Sequence, residues 1–77
     1  MALVRNFQQL NKQRNSVHKE VDCTYTTFED SVGNRIFQID TYGSSDREFV
    51  GKVSQSIQLD EESAVKLIKL IQEEFLG

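Results

Sequence analysis

The chain has 77 residues, a formal charge of −3, 38 % apolar residues and a single cysteine. That length allows one small domain burying about 60 % of its unfolded surface, so its core is thin and a second copy would add stability. No apolar run approaches the ~20 residues of a membrane span. No apolar leader follows Met1, and residue 2 is Ala where myristoylation needs Gly. Cys23 has no second cysteine to pair with, and a small domain without disulfides predicts a protein of the reducing cytoplasm.

The charge is unevenly placed. Residues 1–19 carry Arg5, Lys12, Arg14 and Lys19 and no acid, whereas the remainder is acidic. A basic arm on an acidic body attracts a polyanion through its local field, although a solvated tail has the same composition.

Residues 1–20 read as a flexible basic and polar arm, rich in Gln and Asn between Asn6 and Asn15. Leu3, Phe7 and Leu10 recur at helical spacing, too briefly to hold a helix in water without a partner. Residues 21–77 read as one domain. From Val21 the period changes to two, and Cys23 to Phe28 is rich in β-branched and aromatic residues. Cys23 is expected as a small half-buried sheet residue. Turn chemistry follows at residues 29–34, where Gly33 and Asn34 tolerate positive φ. Arg35 to Tyr42 forms the next extended segment. Phe37 and Ile39 share one face, and Ile36, Gln38, Asp40 and Tyr42 the other.

Residues 43–47 form a loop by composition. A third extended region runs from Phe49 to Leu59, with Val53, Gln55, Ile57 and Leu59 on one side and a bulge or bend expected at Gly51. Asp60 then caps a helix whose first turn carries Glu61 and Glu62. Ala64, Leu67, Ile68, Ile71 and Phe75 trace an apolar stripe that is expected to pack on the sheet. The reading is an α+β domain: an antiparallel sheet of three or four strands, then one C-terminal amphipathic helix (ββββα). Apolar residues outside the main stripe, such as Leu70 and Leu76, suggest that it forms a homodimer.

Chemistry by side-chain catalysis has little to work with. His18 and Cys23 are the lone members of their kinds, and five residues apart on a strand they face opposite sides. One His and one Cys do not make a four-ligand zinc site. The glycines lie apart, and the acidic helix start repels phosphate. No enzyme activity, metal or cofactor is expected. A binding surface remains. Tyr25, Phe28, Phe37, Tyr42 and Phe49 interleave with Arg35, Arg47 and Lys52, the combination of stacking rings and cations that holds single-stranded nucleic acid. Phe37 is assigned to the core. Tyr42, beside Gln38 and Asp40, is assigned to the surface.

The segments Phe37-Gln38-Ile39-Asp40-Thr41-Tyr42, Gly51-Lys52 and Ser56-Ile57-Gln58-Leu59-Asp60-Glu61-Glu62 resemble the positive cofactor four family of transcriptional coactivators. The likeness runs from about Val21 to Phe75. It implies a ββββα unit that dimerises through its helix and binds single-stranded DNA along its sheet. Lys52, Tyr42 and Arg47 are the positions it carries over. The chain departs from the family at Asp40, where the family usually has Arg. It departs again at Ser63-Ala64-Val65, where an aromatic is common. The expected function is non-enzymatic binding of single-stranded DNA or RNA without strong sequence preference, as a transcription or replication accessory factor. Tyr42 and Tyr25 would stack on bases; Arg35, Arg47, Lys52, Lys12, Arg14 and Lys19 would meet phosphates. The alternative is a small protein–protein adaptor, of phage or plasmid type, that binds no nucleic acid.

Overall fold

A computed structural model of the chain describes residues 1–43 and 52–77. Four strands and one helix follow in order: β1 (Ala2–Val4), β2 (Cys23–Glu29), β3 (Arg35–Tyr42), β4 (Val53–Leu59) and α1 (Glu61–Phe75). They form one four-stranded sheet in the order β1-β4-β3-β2, followed by the helix. The architecture is the expected α+β layout, with one change. The sheet is mixed, because the first residues of the chain join it as a strand parallel to β4, Ala2 opposite Ile57 and Val4 opposite Leu59. A strand rather than a helix therefore uses Leu3. The free edge of β4 offers backbone partners that three residues in water lack.

β2 and β3 form a hairpin closed by Asp30. Its carboxylate accepts from the backbone N–H groups of Val32 (3.0 Å) and Asn34 (2.9 Å) and from the Asn34 side chain (3.2 Å). Gly33 takes φ +90°, the left-handed conformation that glycine adopts without a Cβ penalty. β3 pairs with both neighbours, Phe37 lying opposite Thr27 on one side and Leu59 on the other. The expected alternation on β3 holds. One face of the sheet carries Tyr25, Phe37, Ile39, Ile57 and Leu59; the opposite face carries Thr24, Thr26, Gln38, Asp40, Ser56 and Gln58. The first is the apolar face and the second, which also holds Ile36 and Phe28, the polar face.

Val53 departs from expectation. The register slips between Thr41 and Tyr42, so that Thr41 opposes Gln55 while Tyr42 opposes Val53. The extra residue moves Val53 off the side of Gln55 and Ile57 and onto the polar face with Tyr42. The expected bulge at Gly51, and the strand portion from Phe49 to Gly51, lie outside the described residues.

Among the described residues the buried apolar side chains are Ile36 and Leu59 alone. Cys23 is exposed rather than half-buried, because β2 is the outer strand and no element covers it. The helix starts where expected. Asp60 accepts the Ser63 backbone N–H at 2.9 Å, and the buried Ser63 hydroxyl donates to the Val4 carbonyl at 2.7 Å. The helix contacts β3 and β4. Its stripe does not pack on the sheet as expected: Ala64 and Leu67 are half-buried, while Ile68, Ile71 and Phe75 remain exposed. The helix docks through its first two turns, at Ser63, Ala64 and Leu67, and every residue from Ile68 onward is exposed, so the rest of the stripe stays uncovered.

Candidate functional site

The residues expected to bind do not form a single cluster. Tyr25 and Arg35 lie on the apolar face. Tyr25 stacks on Phe37, with ring centroids 5.6 Å apart and planes inclined by 16°, and Arg35 donates to the Thr27 hydroxyl at 3.3 Å. Tyr42 stands on the polar face, half-buried, with its hydroxyl 2.9 Å from that of Thr24. Cross-strand alternation separates the two tyrosines: Tyr25 opposes Ile39, whose side chain points away from that of Tyr42.

Around Tyr42 the arm returns to the sheet. The Tyr42 backbone N–H donates to the Asp22 carbonyl at 3.2 Å. Tyr42, His18, Lys19 and Gln55 line one groove of about 640 Å³ at the end of β3 and β4. Lys52 is exposed just ahead of Val53, the cross-strand partner of Tyr42. Lys12 and Arg14 are exposed along the arm. Arg47 lies outside the described residues. Tyr42, Lys19 and Lys52 are therefore brought to one end of the sheet, and Tyr25 and Arg35 are not.

The polar face also carries a cluster that alternation does not reveal. Gln38 donates to both carboxylate oxygens of Asp40, at 2.9 and 3.1 Å, and Gln58 donates to the Gln38 carbonyl oxygen at 2.8 Å. The buried Ser56 hydroxyl donates to Asp40 as well. Asp40, Gln38, Ser56 and Gln58 line a second groove of about 430 Å³ with Leu3 and Val53. Gln38 and Asp40 are assignable to one face from β3 alone. Ser56 and Gln58 join them through the β3–β4 register, and Val53 through the bulge.

Two carboxylates have acid-shifted ionisation, both as turn or cap acceptors. The Asn34 backbone N–H, then its side chain, holds Asp30 below the ordinary carboxylate value. The Ser63 backbone N–H does the same for Asp60, with a smaller contribution from the charge of Arg5. Among the described residues no group of three His, Cys, Asp or Glu side chains is placed to hold a metal ion. No described helix is long and apolar enough to cross a membrane. Comparison with protein-family models, with curated proteins and with solved structures finds no match to this chain.

Proposed function

We propose that the protein is a non-enzymatic, homodimeric binder of single-stranded DNA or RNA, acting in the cytoplasm as an accessory factor in transcription or replication. The observation that carries this reading is the groove lined by Tyr42, Lys19 and His18, with Lys52 next in sequence to Val53, the cross-strand partner of Tyr42. A ring flanked by cations suits a strand whose bases stack and whose phosphates need neutralising. The helix contacts the sheet on the opposite, apolar side, beside Phe37 and Leu59, so it does not cover the groove at Tyr42. The likeness to positive cofactor four proteins over residues 21–75 points the same way, and the lone cysteine suits a reducing compartment.

Uncovered apolar surface supports the dimer. Tyr25, Ile57, Ile68, Ile71, Phe75 and Leu76 are all exposed on the apolar face or the helix. At about 150–250 Å² per large side chain, their uncovered area is roughly 700 Å². A standard interface buries about 800 Å² per partner, so a second copy meeting this surface would form an interface of ordinary size. It would also supply the core that Ile36 and Leu59 alone do not.

Fluorescence anisotropy with a labelled oligo(dT) of ~20 nucleotides tests the binding reading. The expected result is saturable binding that weakens with salt. Lys52→Ala should lower the salt slope by about 0.7, the value for one phosphate contact on a single strand. Tyr42→Ala should weaken binding by about 1–3 kcal/mol with the slope nearly unchanged. Asp40→Arg should tighten binding to oligo(dT) by adding a phosphate partner. Absence of saturable binding overturns the reading in favour of the adaptor, a role to which the acidic body is equally suited.

A further inference from the structure

Beside the first turn of α1 lies an open hollow of about 250 Å³. Phe37, Leu59 and Ala64 give it apolar walls, and Thr27 of β2 lines it too. A cavity of about 150 Å³ lined by aliphatic and aromatic side chains holds benzene, so this one has room for a phenyl ring. Ala64 leaves that space open, being the smallest residue of the apolar stripe and half-buried. The far end of the same stripe carries a ring. Phe75 is 78 % exposed. It follows Ala64 by eleven residues, close to three turns, so the two share one side of the helix. The rise between them is about 16 Å, which keeps a chain from placing its own Phe75 in its own hollow.

A second copy has no such restriction. Turning another helix antiparallel about the middle of the stripe sets Ala64 opposite Phe75 at both ends. It also sets Ile68 opposite Ile71 between them, because the two pairs are centred on the same point of the sequence. A two-fold axis requires a self-complementary row of this kind, with each contact made twice. The row matches small against large at its ends and holds no charged residue. A parallel pair would instead set Ala64 against Ala64 and Phe75 against Phe75, leaving both hollows empty.

We infer that the hollow beside Ala64 is filled in the dimer by Phe75 of the partner subunit, the two helices running antiparallel with Ile68 against Ile71 at the axis. The inference rests on the dimer proposed above and assigns it a register. Each protomer is incomplete alone: its hollow lacks a ring, and its ring lacks a hollow. Both Phe75 side chains leave water together, along with the rest of an uncovered apolar area of roughly 700 Å². That approaches the 800 Å² or so that each partner buries in a standard interface.

Sedimentation equilibrium of the full chain over a range of concentrations tests this by exchanging knob and hole. Phe75→Ala should raise the dimer dissociation constant about tenfold or more, since each of two hollows loses its ring. Its circular dichroism should match that of the unmodified protein, because Phe75 is exposed in its own protomer. Ala64→Phe should weaken the dimer as well, by setting ring against ring. The double variant, Ala64→Phe with Phe75→Ala, restores one ring to each hollow and should regain most of the lost affinity. Phe75→Trp gives an independent reading, for the chain has no other tryptophan. Its emission should move to shorter wavelength as concentration drives dimerisation. An unchanged dissociation constant for Phe75→Ala, or an emission that does not move, overturns the filling of the hollow and leaves a dimer formed elsewhere. Loss in both single variants without recovery in the folded double variant overturns the pairing of Ala64 with Phe75. A monomer for the unmodified chain at every concentration overturns the register and the dimer beneath it.

Discussion

Arg5 and Asp60, 55 residues apart in sequence, meet with the guanidinium 3.1 Å from the carboxylate. The contact ties the end of β1 to the residue that caps the helix. Its other carboxylate oxygen takes the Ser63 backbone N–H, and Ser63 in turn binds the Val4 carbonyl. The first strand and the last helix are thus fastened at one corner. The Arg5 side chain is 68 % exposed, so the ion pair is screened by solvent and the hydrogen bonds do most of the fastening.

Replacing Asp60 with Ala removes the cap and the partner of Arg5 together. The expected outcome is a melting temperature lower by about 5 °C, the scale of a lost helix cap in a domain of this size. Arg5→Ala should lower it by less. Thermal melts followed by circular dichroism at 222 nm check both. A larger effect for Arg5→Ala would show that the ion pair, not the cap, holds the corner.

Acid should weaken the fold. Asp30 and Asp60 have folded-state values below the ordinary carboxylate value of 3.8. A depressed carboxylate stabilises the fold above its unfolded value, and that contribution is lost as pH falls through the folded value. Urea midpoints should therefore hold steady between neutral pH and about pH 5 and fall below about pH 4. Asp30→Asn and Asp60→Asn should each flatten that fall.

Gly33→Ala tests the hairpin turn. Nothing lies within 4 Å of the position a Cβ would take, so steric contact with neighbours carries no cost. The cost comes from φ +90°. Stability should drop by about 1–2 kcal/mol, measured by urea denaturation, while the fold persists. Gly33→Asn should recover part of the loss, since Asn visits this region more readily.

Ile71→Asp tests the uncovered helix stripe. Ile71 is 47 % exposed, so a charge there costs little in the lone protomer and much in a dimer interface. Sedimentation velocity should show a dimer for the unmodified chain and a monomer or an unfolded chain for the variant. A stable monomer of the unmodified chain would rule out the dimer.

Local chemistry made much of this molecule legible. The alternation of Phe37 and Ile39 with Gln38, Asp40 and Tyr42 defined the two faces of β3, because side chains on any strand alternate regardless of its neighbours. Asp60 followed by two glutamates marked the helix start, since a cap needs only the backbone of the next turn. Tertiary structure decided the rest. Ala2–Val4 became a strand because β4 had an edge to pair with, and no local signal announces a partner 55 residues away. Val53 changed faces because one residue slipped against β3, which only the pairing register records. The hydrogen bonds of Asp40 to Gln38 and Ser56, and the stripe of Ile68, Ile71 and Phe75 left uncovered, have the same origin. Period and caps are properties of neighbouring residues, whereas register and docking angle depend on contacts between segments far apart in the chain.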